Sequence, residues 1–224
     1  QEKEYQHPNL RMILGDIRDY VSIRRALQNV DIIVHAAALK QVPTAEYNPF
    51  QFIQTNILGS QNIVEAALDT NVKKVVALST DKASSPINLY GATKLCSEKL
   101  FIAANNIKGK KNINFSVVRY GNVMGSRGSV IPLFLKYLKD GKTLTLTHKK
   151  MTRFNITLNE SIKLVLNSIK NSNDGEIFVP KIPSFNIVDL IKVMSPNKKY
   201  KLIGVRSGEK INEELISIYE GKNT

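Results

Sequence analysis

Short, mainly apolar runs alternate along this chain with longer stretches whose apolar residues recur at helical spacing. DIIVHAA (Asp31 to Ala37), VVALS (Val75 to Ser79) and FSVVRY (Phe115 to Tyr120) are of strand length and place apolar residues at successive positions. A strand apolar on both sides has to be covered on both faces, which is the condition of a parallel sheet between helical layers. Covering helices are predicted over Pro49 to Asp69, where Ile53, Ile57, Ile63, Val64 and Ala67 fall near helical spacing, and over Leu89 to Asn105. Right-handed crossovers then give a doubly wound, Rossmann-like α/β fold. LRMIL (Leu10 to Leu14) predicts one more strand, followed by Gly15-Asp16 and a short helix through Val21 and Leu27. In the usual doubly wound order these two N-terminal strands would be the third and fourth, and the first two, which lie between them, are absent from this chain.

Past Gly121 the pattern loosens. Helices are expected near Ile131 to Lys139, Leu158 to Lys170, Ile187 to Met194 and Gly208 to Ile218, with a short strand at Glu176 to Pro180. Residues 1–121 therefore read as a partial dinucleotide-binding domain and residues 122–224 mainly as a smaller substrate lobe, incomplete at its C-terminus. Charge bears on partners: 32 Lys+Arg against 19 Asp+Glu leave +13, which favours anionic ligands. The lysines are dispersed, as at Lys108, Lys110, Lys111, Lys149 and Lys150, without a basic stripe interleaved with aromatics, so a nucleic-acid module is not expected. One cysteine, Cys96, and three histidines exclude a disulfide framework and a cysteine-built zinc site, and no metal is expected. No apolar run approaches the roughly 18 residues needed to span a bilayer. The expectation is a cytoplasmic protein with no membrane partner.

Ligands of open parallel sheets bind beyond the carboxyl ends of the strands, so those ends are where chemistry is sought. One strand runs into His35-Ala36-Ala37-Ala38-Leu39-Lys40, whose small side chains admit a flat ring or sugar phosphate, or simply fill core. Another ends in Ser79-Thr80-Asp81-Lys82, and the next helix carries Tyr90 and Lys94. A third ends in Arg119-Tyr120-Gly121-Asn122-Val123. Four residues on a helix advance about 400°, so Tyr90 and Lys94 project from nearly one face. A phenol ionises near pH 10, and an ammonium group held close to it is expected to lower that value until Tyr90 can take a proton from a hydroxyl. A lone Tyr-x-x-x-Lys is a common accident of helix surfaces. Beside a strand-end Ser-Thr, which can donate to the same substrate oxygen, it implies hydroxyl oxidation with hydride passing to a nicotinamide.

LSTDKASSPINLYGATKLCSEKLF, FSVVRYGNVMGSRGSVIPLF, MTRFNITL, GEIFVPKIPS and GVRSGEKINEEL are far more specific than that pair. With them the chain resembles, from Leu10 to Leu215, the extended short-chain dehydrogenase/reductases, and within these the soluble inverting UDP-N-acetylglucosamine 4,6-dehydratases of pseudaminic acid synthesis for bacterial surface glycans. The resemblance implies tightly bound NADP, recycled within the reaction, with NAD the lesser alternative, and UDP-N-acetylglucosamine as substrate. Thr80, Asp81, Lys82, Tyr90 and Lys94 match the catalytic set. Asp16 and Ile17 match adenine-contacting positions; Ala36, Leu78 and Ser79 lie beside the cofactor with Tyr90 and Lys94, and Lys40 lies between cofactor and sugar. Asn122, Val123 and Arg127 match positions that hold the diphosphate and sugar, and Arg206 and Glu209 those that hold the uridine nucleotide. In this chemistry a carbon-4 ketone acidifies carbon 5, so a base removes that proton while an acid protonates the departing 6-hydroxyl; Asp81 and Lys82 can share the two tasks. Their other reading is a loop ion pair worth under about 1 kcal/mol.

The resemblance also implies a homo-oligomer for the whole protein. Ser207 stands where the family usually has proline and Asn212 where it often has histidine. No G-x-x-G-x-x-G-like turn precedes Leu10, so residues 1–224 alone are expected to be poorly soluble and without dehydratase activity. The alternatives are a retaining UDP-sugar 4,6-dehydratase, a 4-epimerase, and a non-catalytic dinucleotide-binding regulator.

Overall fold

The computed structural model describes residues 7–196 and 200–223. Along the chain, α1 (Tyr20–Ala26) leads to β1 (Ile32–His35), and α2 (Val42–Tyr47), α3 (Pro49–Phe52) and α4 (Gly59–Leu68) precede β2 (Lys74–Thr80). Then α5 (Leu89–Ile107) leads to β3 (Asn114–Tyr120) and β4 (Asn122–Val123). The rest is α6 (Val130–Lys139), β5 (Thr145–Leu146), β6 (Thr152–Ile156), α7 (Leu158–Asn171), β7 (Ile177–Phe178), β8 (Ser184–Asn186), α8 (Ile187–Met194) and β9 (Lys201–Leu202).

The main sheet is parallel with order β1-β2-β3-β7, and Val75 lies opposite Phe115 and Ala77 opposite Val117. Val75, Val76, Phe115, Val117 and Val118 are fully buried, as expected for strands apolar on both sides. Phe115 and Val117 share a core with Phe101 of α5 and Ile63 and Val64 of α4. Ser116, pointing the other way, meets Ser168 of α7 at 3.1 Å, so α5 and α7 cover opposite faces. Hence α7 and β7, although they come after residue 121, belong with the main sheet. A second core gathers Phe134, Leu144, Leu146, Met151, Ile187 and Ile191 from α6, α8 and the short strands around them. There β6 pairs in parallel with β4 and antiparallel with β8, while β5 pairs with β9.

The helical stretch expected after Pro49 is one continuous run with a π-helical insertion at Ile53–Leu58, which turns the buried Asn56 inward. Helix α5 starts at the N-cap Asn88, whose side chain accepts from Gly91 N at 2.8 Å. Among the described residues no helix is long and apolar enough to cross a membrane, and no cluster of His, Cys, Asp and Glu could hold a metal ion.

Two expected elements do not form. Leu10 to Leu14 is not a strand, and Met12 and Leu14 are 82% and 101% exposed. A strand exists only when its backbone groups find a ladder, and no described strand lies alongside this segment. Gly208 to Ile218 is not a helix either. Its carbonyls are taken by tertiary donors: Ile211 O accepts from Thr152 N at 3.1 Å and from Arg153 Nη1 at 3.1 Å, and Leu215 O from Arg119 Nη1 at 2.9 Å. The strands β4, β5, β6, β8 and β9 are two to five residues long, too short for their periodicity to be read.

Candidate active site

Strand β2 delivers Ser79 and Thr80 to the carboxyl edge of the sheet, and the chain then tightens into a 3₁₀ turn at Asp81–Ala83, where the Thr80 hydroxyl accepts from Lys82 N at 3.4 Å. Helix α5 begins hard against this turn. A Cβ on Gly91 would stand 2.2 Å from the Lys82 carbonyl oxygen, so only glycine allows Tyr90 and Lys94 to be carried in so close.

The side chains form a connected set. Thr80 donates to Asp81 Oδ1 at 3.0 Å, and Lys82 Nζ donates to the same oxygen at 3.0 Å. Asp81 is wholly buried, and its Oδ2 has no hydrogen-bond partner among the described residues. Ser79 Oγ is likewise buried and unpartnered. Lys94 Nζ donates to Leu78 O at 2.7 Å. Asn56 ties the first loop to α5: it exchanges hydrogen bonds with Leu39 N and O at 2.9 Å each and donates to Thr93 Oγ1 at 3.0 Å, while Thr93 donates to Tyr90 O at 2.8 Å.

The electrostatics correct one expectation. Tyr90 is not brought down by Lys94; burial pushes its phenol up to about 12, against a lowering hydrogen bond from Thr80. Burial also pushes Lys94 down to about 8, opposed by Glu98. Its ammonium donates to the Leu78 carbonyl, while the phenol responds to burial, Thr80, Asp81 and Tyr120. Beneath them, burial and then Lys94 push His35 down to about 4, leaving it neutral near pH 7.

A strap formed by residues 204–220 crosses the loop between β2 and α5. Asn88 Nδ2 donates to Gly208 O at 2.7 Å, Lys210 Nζ to Ser84 O at 2.7 Å, and Ser85 Oγ to Glu214 Oε2 at 3.2 Å. Glu213 enters the catalytic-type set, 3.5 Å from Lys82 Nζ and 3.9 Å from Lys210 Nζ. The strap is pinned by Arg119, 1% exposed, which binds Glu98 at 3.0 and 2.6 Å, Glu220 at 2.9 and 2.7 Å, and Leu215 O.

Thr80, Asp81, Lys82, Tyr90 and Lys94 are thus brought together with Leu78 and Ser79. The remaining candidates are scattered around them. Asp16 and Ile17 precede α1 rather than follow a strand; Asp16 pairs with Arg18 at 2.6 Å, and that contact draws its carboxyl down to about 2. Ala36 and Lys40 are exposed on the loop after β1, and Arg127 is exposed beyond β4, which contains Asn122 and Val123. Arg206 is 58% exposed at its side chain and lies 3.8 Å from Glu209, which also approaches Arg153 at 3.6 Å. Sequence reasoning did not single out Glu213, Lys210, Arg153, Asn56 or Gly91. Of these only Gly91 left a signal, a helix-breaking residue between Tyr90 and Lys94 where a helix was expected.

The sequence pattern of the polysaccharide biosynthesis protein family matches residues 1–224. The UDP-N-acetylglucosamine 4,6-dehydratase (inverting) of Campylobacter jejuni is 52% identical over 214 residues, covering 95% of this chain and 64% of its own. The UDP-glucose 4-epimerase of Rickettsia canadensis is 46% identical over 215 residues, covering 94% and 63%. A crystal structure of a double mutant of the dTDP-glucose 4,6-dehydratase DesIV from Streptomyces venezuelae, with NAD and DAU bound, superposes with a TM-score of 0.85 at 26% identity, over 96% of this chain and 72% of that one. The chain spans a little under two thirds of the length of the two curated relatives.

Proposed function

The chain belongs to the polysaccharide biosynthesis protein family, a group of extended short-chain dehydrogenase/reductases, and from that premise we propose that the whole protein is an inverting UDP-N-acetylglucosamine 4,6-dehydratase. The observation that carries the reading is the buried Asp81 carboxylate paired at 3.0 Å with the half-buried Lys82, beside Thr80 and Tyr90. A 4-epimerase, as the Rickettsia relative is named, has only to remove and return hydride at carbon 4. A dehydratase needs in addition a base for carbon 5 and an acid for the 6-hydroxyl, and Asp81 and Lys82 are of the right types for both tasks.

A nicotinamide dinucleotide fits the described residues at its nicotinamide end: Tyr90 and Lys94 reach the end of β2, next to the unpartnered Ser79 Oγ. Bound there, it would supply the hydride acceptor for carbon 4 and the hydride donor for carbon 6. As the phenolate, Tyr90 accepts the proton of the 4-hydroxyl, with Thr80 donating to the same oxygen. Burial that raises the phenol also makes it a strong base once ionised. Lys82 then takes the carbon-5 proton, whose bonding pair forms the double bond to carbon 6 as the 6-hydroxyl leaves. Asp81 protonates that hydroxyl, which departs as water, through an oxygen such as its free Oδ2. The two groups stand 3.0 Å apart, within reach of direct proton exchange. Return of a proton to carbon 5 from the opposite face inverts that centre.

We assign Ala36, Leu78, Ser79, Asp16 and Ile17 to the cofactor, Lys40 to cofactor and sugar, Asn122, Val123 and Arg127 to the diphosphate and sugar, and Arg206 and Glu209 to the uridine. NADP is the proposed cofactor; mass analysis of the nucleotide released from the denatured whole protein tests it, with NADP expected and NAD overturning that choice. The reaction is tested by incubating the whole protein with UDP-N-acetylglucosamine and following the proton spectrum. A new 6-methyl doublet is expected; a carbon-4 epimer without a methyl signal overturns the reading in favour of epimerisation.

A further inference from the structure

The reading above leaves one buried carboxylate without a task. Glu213 has a side chain 3% exposed, comes from a segment more than a hundred residues away in sequence, and ends 3.5 Å from Lys82 Nζ. Its other oxygen is buried without a hydrogen-bond partner among the described residues, 3.9 Å from Lys210 Nζ. Burying a carboxylate is costly unless it is matched by a charge, and two ammonium groups flank this one.

We infer that Glu213 is a positioning residue that holds the Lys82 side-chain nitrogen between itself and Asp81. Lys82 sits on a flexible four-carbon stem, and side-chain freedom of that kind has to be frozen before its amine can face one carbon atom. Asp81 alone gives it one anchor, at 3.0 Å. Glu213 gives a second, from the strap rather than the turn, and two anchors on different elements define a direction.

The strap is itself immobilised on every side. Ile211, two residues before Glu213, is bonded through its carbonyl to Thr152 and Arg153 of β6, Lys210 caps Ser84, and Leu215 is held by Arg119. Arg206 and Glu209 lie on the same strap, seven and four residues before Glu213.

This inference rests on the assignment of Lys82 to proton transfer at carbon 5, so its test separates the two. In the whole protein, Glu213→Gln keeps the shape and removes the charge. Product formation is expected to fall by about tenfold or more, and exchange of the carbon-5 proton with deuterated solvent to slow equally, because the proton-transfer geometry is loosened. Oxidation at carbon 4 does not use Lys82, so reduced nicotinamide is expected to build up transiently under single turnover. UDP affinity by calorimetry and the melting temperature are expected to stay close to wild type, which a merely structural role would not allow. Lys82→Ala is the reference. If Lys82→Ala still exchanges carbon 5 normally, the role of Lys82 is wrong. If Lys82→Ala is dead in exchange and Glu213→Gln is normal, the inference about Glu213 is overturned and the function stands. Should Glu213→Gln not fold, Glu213→Asp carries the same test. It keeps the charge one methylene further away, so slowed exchange with unchanged UDP affinity supports the inference, and wild-type exchange overturns it.

Discussion

Adding a single methyl group at Gly91 sets two opposed effects against each other in the most tightly packed corner of the site. Alanine is a better helix former than glycine by about 1 kcal/mol, so on propensity alone Gly91→Ala stabilises α5. The new Cβ, however, would lie 2.2 Å from the Lys82 carbonyl oxygen and 3.1 Å from its carbonyl carbon. A comfortable carbon–oxygen contact is about 3.3 Å, so turn and helix must part by about 1 Å. The nearest neighbour is a backbone oxygen, which cannot swing aside as a flexible side chain would, and the rigid ring of Pro86 stands 3.1 Å away as well. Overpacking of this kind costs about 1 to 3 kcal/mol, leaving a net loss of about 0 to 2 kcal/mol after the helix gain. For a chain of this size that lowers the melting temperature by no more than about 8 °C. Catalysis should suffer far more. The displaced residue is Lys82 and the displacing helix carries Tyr90 and Lys94, and a misplacement of about 1 Å can cost about 100-fold in rate. Steady-state turnover, UDP calorimetry and a melting curve on Gly91→Ala in the whole protein check this. The expectation is a rate lower by about 10- to 100-fold with UDP affinity within about threefold. Wild-type turnover with an unchanged or raised melting temperature would refute the claim that the close approach of α5 to the turn aligns the catalytic groups.

Replacing Tyr90 with Phe keeps the buried ring and removes the proton acceptor, so turnover should fall by about 100-fold or more while substrate still binds; wild-type-like turnover removes Tyr90 from the mechanism. Arg119→Met leaves Glu98, 2% exposed, as an unpaired buried charge, a loss of about 3 to 5 kcal/mol that should lower the melting temperature by about 6 to 20 °C. Adding Glu98→Gln should recover part of it, and a single variant melting like wild type would show that the pair is not what pins the strap. Arg206→Ala should weaken UDP binding by about 1.5 to 3 kcal/mol if its guanidinium grips the nucleotide. Unchanged affinity in a UDP titration would leave Arg206 only the exposed ion pair it makes with Glu209 at 3.8 Å.

The layered sheet was legible in the sequence because its signal is local. A strand apolar on both sides, such as Val75 to Ser79 or Phe115 to Tyr120, can be satisfied only between two helical layers, whatever the rest of the chain does. The same holds for the convergence of Thr80, Asp81, Lys82, Tyr90 and Lys94, since a strand end, a tight turn and one helical face place them within a span of fifteen residues. What the sequence could not settle depends on partners distant along the chain. Leu10 to Leu14 has the composition of a strand but no described neighbour with which to form a ladder, and its apolar side chains stand in solvent. Gly208 to Ile218 has the spacing of a helix, yet its carbonyls are claimed by Thr152, Arg153 and Arg119. Had it been helical, Lys210 and Glu213 would have faced each other one turn apart on a surface; drawn out as a strap, it carries Glu213 to Lys82 instead. Even the phenol of Tyr90 follows this division. The four-residue spacing set the face on which Tyr90 and Lys94 project, but burial moved the phenol up and the ammonium down, because charge responds to everything packed within a few ångströms and not to the order of residues along the chain.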